Sequence, residues 1–221
     1  MRQLAFELPA HMGLASEDFI EDVSNRSALS MVRRWPDWPC RGLIITGPAG
    51  SGKSHLASFW AARSGAQFWS PGMDEGQILQ TPNPTLVLES PMQRMTEESL
   101  LHVMNAVTEM EGTFLITAEK APTTWKVMLK DLRSRLLALP VFEIYEPSEQ
   151  LLRQLMHKQF SDAQIRINPA VVDFLLTRIE RSPAQAIHLC RKLLALSLED
   201  KRSLSPANVR SWFQKLDAGL A

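Results

Sequence analysis

The sequence has few of the residues that would cross-link a chain or anchor it in a membrane. Its 221 residues include only two cysteines, Cys40 and Cys190, which excludes a disulfide framework. No apolar run approaches the ~20 residues of a membrane-spanning helix. The N-terminus also lacks the apolar core of a signal peptide. We therefore expect a cytoplasmic protein with two reduced thiols and no membrane partner.

An excess of charge is also missing. Lysine and arginine total 24, as do aspartate and glutamate, so the formal net charge is zero. Dedicated duplex-DNA binders carry a basic excess, because neutralising phosphates releases counterions. The sequence therefore predicts no strong direct binding of duplex DNA. What is present is ample apolar material, 45% of residues, enough for an α/β domain and a small helical one.

Short apolar runs alternate with helical patterns as far as Pro147. The runs predict buried strands at 42–46, 66–69, 85–89, 113–117 and 141–145. Before the first strand, a helix is predicted that is capped by Ser24 and ends near Trp35. Between the strands, the predicted helices are one over 53–63, one capped by Thr96, and two short ones within 123–139. Strands alternating with helices predict a five-stranded parallel sheet covered on both faces, an α/β three-layer domain.

Beyond Pro147 the pattern is helical only. Helices are predicted at about 148–160, 170–181, 184–198 and 206–216, with prolines near three of the starts. We therefore expect three parts: a poorly anchored tail over 1–14, the α/β domain over 15–147, and a helical domain over 148–221.

The segment between the first predicted strand and the next helix carries the clearest chemical signal. It reads Gly47, Pro48, Ala49, Gly50, Ser51, Gly52, Lys53, Ser54. This is the pattern of a phosphate-binding loop, in which glycines let backbone N–H groups approach phosphates at a helix N-terminus. Lys53 would bind the β- and γ-phosphates and Ser54 would ligate Mg²⁺. We predict ADP or ATP with Mg²⁺ as the cofactor.

ATP hydrolysis needs an acid at the end of a neighbouring strand and a group that orients water. Glu89 ends the strand predicted at 85–89 and would hold the Mg²⁺ water shell. The alternative for Glu89 is an ordinary solvated strand end. Ser90 follows it and is a weak candidate for orienting water. The sequence therefore predicts good nucleotide binding with slow intrinsic turnover.

Several segments together resemble the AAA+ module of the bacterial replication initiator DnaA. They are residues 18–28, DFIEDVSNRSA, and the loop end Lys53-Ser54-His55-Leu56. Residues 116–122 resemble the family's sensor I segment, and 132–136 resemble the box that carries its arginine finger. The resemblance spans roughly 16–216 and implies an AAA+ P-loop domain followed by a helical lid domain.

The resemblance also implies roles for individual residues. It adds His55 to the cofactor-binding loop, although a packed helix histidine is the alternative. It places Thr117 and Glu119 of the sensor I segment among the catalytic residues. The family's sensor II arginine corresponds to Ala184, with Arg181 as a substitute, which suits a protein that works bound to ADP.

By the same resemblance, Arg135 is an arginine finger acting in trans on the nucleotide of a neighbouring subunit or of DnaA. The alternative is a surface arginine paired with Asp131 one turn back. Arg133 is the competing finger candidate.

The N-terminal tetrapeptide Gln3-Leu4-Ala5-Phe6 looks like a sliding-clamp-binding peptide. Leu4 and Phe6 would enter an apolar groove, while Gln3 would make polar contacts at its rim. A short DnaA-like module with such a peptide resembles the Hda (HdaA) type. This implies a regulator that acts with the DNA polymerase sliding clamp to promote ATP hydrolysis by DnaA. The alternative is a disordered tail with chance hydrophobic residues.

Other functions of P-loop proteins stay open. A DnaA/DnaC-like helicase loader or remodelling ATPase would act on helicase or single-stranded DNA, but zero net charge and the pair Glu89-Ser90 disfavour it. A small-molecule P-loop kinase fits the length but not the helical C-terminal third. A homodimer is also open, because such modules meet edge to edge.

Overall fold

A computed structural model of the chain describes residues 19–70, 76 and 80–217. These residues form two compact units. The first comprises Phe19, Asn25–Pro48 and Gly52–Ile144 among the described residues. The second comprises Ile20–Ser24, Ala49–Ser51 and the described residues from Tyr145 onward.

A five-stranded parallel sheet forms the centre of the first unit. Its strands are β1 (Gly42–Thr46), β2 (Gln67–Phe68), β3 (Thr85–Glu89), β4 (Thr113–Ala118) and β5 (Val141–Glu143). They lie in the order β2-β3-β4-β1-β5. The predicted parallel sheet is confirmed. The fifth strand ends two residues earlier than predicted, because Glu143 already pairs with Thr46, the last residue of β1.

Helices flank the sheet in the first unit. They are α1 (Arg26–Arg33), α2 (Lys53–Ser64), α3 (Pro91–Arg94), α4 (Glu97–Glu109) and α5 (Lys130–Ala138). The predicted cap of α4 is confirmed, since the Thr96 hydroxyl accepts the N–H of Ser99. Two details of the prediction are wrong. The N-cap of α1 is Asn25, not Ser24, and the first helix predicted within 123–139 is a single 3₁₀ turn at Pro122–Thr124.

The side chains of β1 explain the three layers. Leu43 and Ile45 pack in a cluster with α1 and α2, while Ile44 between them packs in a second cluster with α4 and α5. All three are fully buried. A parallel strand covered on both faces needs a nearly continuous apolar run, and the run Leu43–Ile45 of β1 provides it.

The second unit is helical throughout its C-terminal part. Its helices are α6 (Glu149–Asp162), α7 (Pro169–Leu176), α8 (Pro183–Glu199) and α9 (Pro206–Asp217). Side chains of Ser148, Asn168 and Ser182 accept backbone N–H groups at the starts of α6, α7 and α8. No described helix combines the length and the apolar character needed to cross a membrane.

The second of these helices is shorter than predicted. It ends at Leu176 rather than near residue 181. The Thr177 hydroxyl and the Arg178 guanidinium both donate to the carbonyl of Phe174, so side chains satisfy the end of the helix.

Candidate functional site

The loop between β1 and α2 adopts backbone conformations that favour glycine. Gly50 has φ 72° and Gly52 has φ 104°, both in the left-handed region. Gly52 is the N-cap of α2 and provides no side-chain cap. The first backbone N–H groups of α2 are therefore not bonded to a capping side chain. Uncapped N–H groups at a helix N-terminus can bind an anion such as a phosphate.

Lys53 stands at the first position of α2. Its ammonium donates hydrogen bonds of 2.8 Å to the carbonyls of Gly47 and Pro48. Burial lowers the pKa of Lys53, while the nearby carboxylates of Glu119 and Glu89 oppose that shift. The fold thus brings together a lysine and two acids that the sequence analysis selected from three separate segments.

Glu89 and Thr117 are paired residues at the carboxyl ends of β3 and β4. Ser90, in the left-handed conformation, donates its N–H to the Thr117 carbonyl at 2.8 Å. Oε1 of Glu89 is buried and has no hydrogen-bond partner among the described residues. An oxygen acceptor of this kind, with the exposed Ser54 hydroxyl in the first turn of α2, fits the preference of Mg²⁺ for oxygen and water ligands.

The remaining predicted residue of the loop, His55, lies one position further along α2. Its ring packs against that of Phe19, with centroids 5.0 Å apart. In the structure, His55 therefore makes an aromatic packing contact near the start of α2.

Gly50, which belongs to the second unit with Ala49 and Ser51, is contacted by the start of α8. The Ser182 hydroxyl and the Ala184 N–H both donate to the Gly50 carbonyl, at 3.3 Å and 3.4 Å. A Cβ added at Gly50 would collide with the Ser182 hydroxyl. The sequence pointed to Ala184 but not to Ser182. The local pattern that could have indicated Ser182 is a serine directly before a proline at the start of a helix, which is typical of an N-cap. Arg181 is exposed.

The two finger candidates lie on α5. Arg135 Nε is 3.2 Å from Asp131 Oδ2, and 43% of the Arg135 side chain is exposed. The pairing considered from the sequence is therefore present. An exposed pair of this kind contributes about 0–1 kcal/mol, so Arg135 can leave Asp131 at little cost. Arg133 is also exposed. The proposed clamp peptide with Gln3, Leu4 and Phe6 lies outside the described residues.

Comparison with known proteins gives matches to solved structures alone. No protein-family model matches the chain, and no curated protein matches it. Domain III of DnaA from Thermotoga maritima superposes with a TM-score of 0.73 at 13% identity, covering 88% of this chain and 92% of that one. AMPPCP-bound DnaA from Aquifex aeolicus gives 0.66 at 17%, covering 82% and 65%. A RuvB mutant from Thermotoga maritima gives 0.66 at 18%, covering 88% and 68%.

The fold is that of an AAA+ P-loop domain with a helical C-terminal part. Within that class the structure is similar to DnaA domain III over nearly the full length of both chains.

Proposed function

We propose that this chain is a nucleotide-binding AAA+ regulator of replication initiation of the Hda type, which promotes ATP hydrolysis by DnaA. The observation that carries the proposal is a complete phosphate loop in a DnaA-like fold that also presents a weakly held arginine, Arg135, on α5.

The nucleotide is held rather than rapidly hydrolysed. Lys53 supplies the cation for the phosphates, and Ser54 and Glu89 supply oxygens for Mg²⁺ and its water. A matched DnaA structure is bound to AMPPCP, which supports the binding of a nucleotide by this chain as well. Ser90 is a poor group for activating water, and Ala184 beside Gly50 carries no charge to read a γ-phosphate. The first feature favours slow turnover, and the second favours a resident ADP.

The chemistry then belongs to the partner. A guanidinium that reaches the nucleotide of DnaA would stabilise charge on the transferring phosphoryl group, an effect of about 10³-fold or more. Arg135 suits this role because only an exposed, solvent-screened pair with Asp131 holds it. Gln3, Leu4 and Phe6 would bring the protein to the sliding clamp.

Hydrolysis of DnaA-bound ATP in the presence of DNA-loaded clamp tests the finger. Arg135→Ala is expected to lower the stimulated rate by about 10³-fold, while Arg133→Ala keeps most of it. The Arg133 variant removes the same charge from the same helix, so it is the matched control. Equal stimulation by the wild-type and Arg135→Ala proteins would remove the arginine-finger assignment. Loss with Arg133→Ala alone would transfer the role to that residue.

Clamp binding is tested separately. The wild type is expected to bind the isolated clamp, and a variant with Gln3→Ala and Leu4→Ala is not. Equal clamp binding by both proteins would contradict the assignment of residues 3–6 as a clamp-binding peptide. It would leave the arginine-finger assignment of Arg135 unaffected.

A further inference from the structure

A surface cavity of about 340 Å³ lies in the helical part of the second unit, and none of the candidate-site residues described above lines it. It is lined by Phe174, Arg178, Arg210, Phe213 and Gln214. These residues come from α7, the segment just after it, and α9. The cavity has a size typical of sites that bind a small molecule or a few side chains.

Two aromatic rings form its apolar part. The rings of Phe174 and Phe213 meet edge to face with centroids 5.8 Å apart. The Arg178 guanidinium lies 3.8 Å from the centroid of Phe174. One of its terminal nitrogens also donates to the Phe174 carbonyl and to the Thr177 hydroxyl. Stacking and these bonds orient Arg178, and its other N–H groups stay available to a ligand.

A second cation approaches the same ring. The guanidinium carbon of Arg210 is 5.6 Å from the centroid of Phe174. Among the side chains that the structure describes, neither Arg178 nor Arg210 forms an ion pair. The two acids nearest to Arg178 in sequence have other partners: Glu180 accepts an amide N–H of Gln185, and Asp173 is bound by Arg153. Two like charges beside one ring repel each other, and a shared anion would relieve that repulsion through charge-assisted hydrogen bonds.

We propose that this cavity binds an acidic peptide segment of a protein partner. A carboxylate of the segment bonds to Arg178 and Arg210, and a neighbouring apolar side chain packs on Phe174 and Phe213. A single-stranded nucleic acid would need cations along a track of phosphates. Here two arginines approach one aromatic ring in a chain with zero net charge, which favours a peptide. This site is independent of the phosphate loop and of Arg135.

The test uses the full chain and a fluorescein-labelled peptide of two leucines flanked by glutamates, with fluorescence anisotropy as the readout. Such a short segment is expected to bind with a Kd on the order of 10–100 μM. Replacing both arginines (Arg178→Gln with Arg210→Gln) is expected to weaken binding at least tenfold. The matched control is Arg166→Gln with Arg202→Gln, which removes two exposed charges elsewhere in the same unit and should leave the Kd unchanged.

A second variant distinguishes specific binding in the cavity from non-specific electrostatic attraction of the acidic peptide. Phe174→Leu keeps both arginines but removes the ring on which Arg178 is stacked. It is expected to weaken peptide binding severalfold. A peptide with glycines in place of the leucines should also bind more weakly to the wild type. Thermal melts by circular dichroism establish that each variant is folded before its Kd is compared.

Four results would overturn the proposal. The first two are no binding at about 1 mM peptide and an equal loss of peptide affinity in the Arg166→Gln with Arg202→Gln control. The other two are an unchanged Kd in folded Phe174→Leu protein and tighter binding of an oligothymidine than of the peptide through Arg178 and Arg210. None of them bears on the finger assignment, which the DnaA hydrolysis assay measures independently.

Discussion

The carboxylate of Glu97, in the first turn of α4, accepts the backbone N–H of Met128 with both oxygens at 3.0 Å. One of these oxygens also accepts the N–H of Leu129 at 2.8 Å. Leu129 is the N-cap of α5, the helix that carries Arg135. A side chain at the start of one helix therefore positions the start of the next, and Met128 is held there with 85% of its surface exposed.

Removal of this carboxylate should loosen the start of α5. Glu97→Ala is expected to lower the free energy of unfolding by about 1 kcal/mol, since charge-assisted bonds at a solvent-exposed site are lost. If Arg135 acts as proposed, the stimulated DnaA hydrolysis should fall as well. Urea denaturation and the hydrolysis assay measure the two effects. Glu98→Ala removes the same charge from the same helix turn and is the control. If the two variants are equally stable, Glu97 has no special role.

Asp22 links the segment before α1 to the start of α6. Its carboxylate accepts the hydroxyls of Ser24 and Ser148, each at 2.6 Å, and both backbone N–H groups. Burial raises the pKa of Asp22, but the hydrogen bonds from Ser148 and Ser24 outweigh it and lower the pKa from 3.8 to about 2. A carboxyl whose pKa is lower in the folded state stabilises the protein above the unfolded pKa and loses that contribution as pH falls.

Asp22→Asn should therefore matter at neutral pH and much less in acid. Its destabilisation is expected to be about 1 kcal/mol after allowance for solvent screening. That difference should shrink as pH falls from near 3.8 to about 2, the interval between the two pKa values. Denaturant unfolding at a series of pH values measures it, and a gap between the two proteins that stays constant through this interval would contradict the assignment.

Gly112 precedes β4 and has no room for a side chain. A Cβ there would collide with the carbonyl oxygen of Pro84, which also accepts the N–H of Thr113. Because backbone must move to relieve the overlap, Gly112→Ala is expected to cost about 1–3 kcal/mol. Thermal unfolding measures this loss. Gly65→Ala is an informative contrast, since its Cβ would meet no atom and only its left-handed φ of 71° is unfavourable.

Cys190 is fully buried within α8, and burial raises the pKa of its thiol to about 12. The thiolate is the reactive form, so Cys190 should resist alkylation at pH 8 in the folded protein. Cys40, which is only partly buried, should react with iodoacetamide first. Peptide mass spectrometry with and without denaturant distinguishes the two thiols. Equal native labelling would show that α8 opens readily.

Lys53→Ala tests the phosphate loop itself. The variant is expected to lose at least tenfold in affinity for ADP, because the half-buried ammonium is the loop's own cation. ADP should then raise the melting temperature of the wild type but not of the variant. Lys126→Ala, an exposed lysine in the same unit, is the control. An unchanged ADP affinity in Lys53→Ala would refute nucleotide binding at this loop.

Local patterns were sufficient where neighbours in sequence decide the structure. The apolar run of β1 and the glycines that follow predicted the strand, the turn and the start of α2, because each depends on adjacent residues. The N-cap of α1 was mispredicted for the opposite reason. The Ser24 hydroxyl is engaged by Asp22, which also bonds to Ser148, 126 residues further along the chain.

The sequence by itself determined the order of strands and helices and the chemistry of the loop from Gly47 to Ser54, since backbone conformation and residue type are local properties. Tertiary structure alone decided which residues share a neighbourhood. It set Glu89 beside Thr117 and near Lys53, placed Ser182 against Gly50, and gathered Phe174, Arg178 and Arg210 around one cavity. These contacts come from strand pairing and helix packing between segments that are distant in sequence. Hydrophobic periodicity predicts the type of each segment but not which segments pack together.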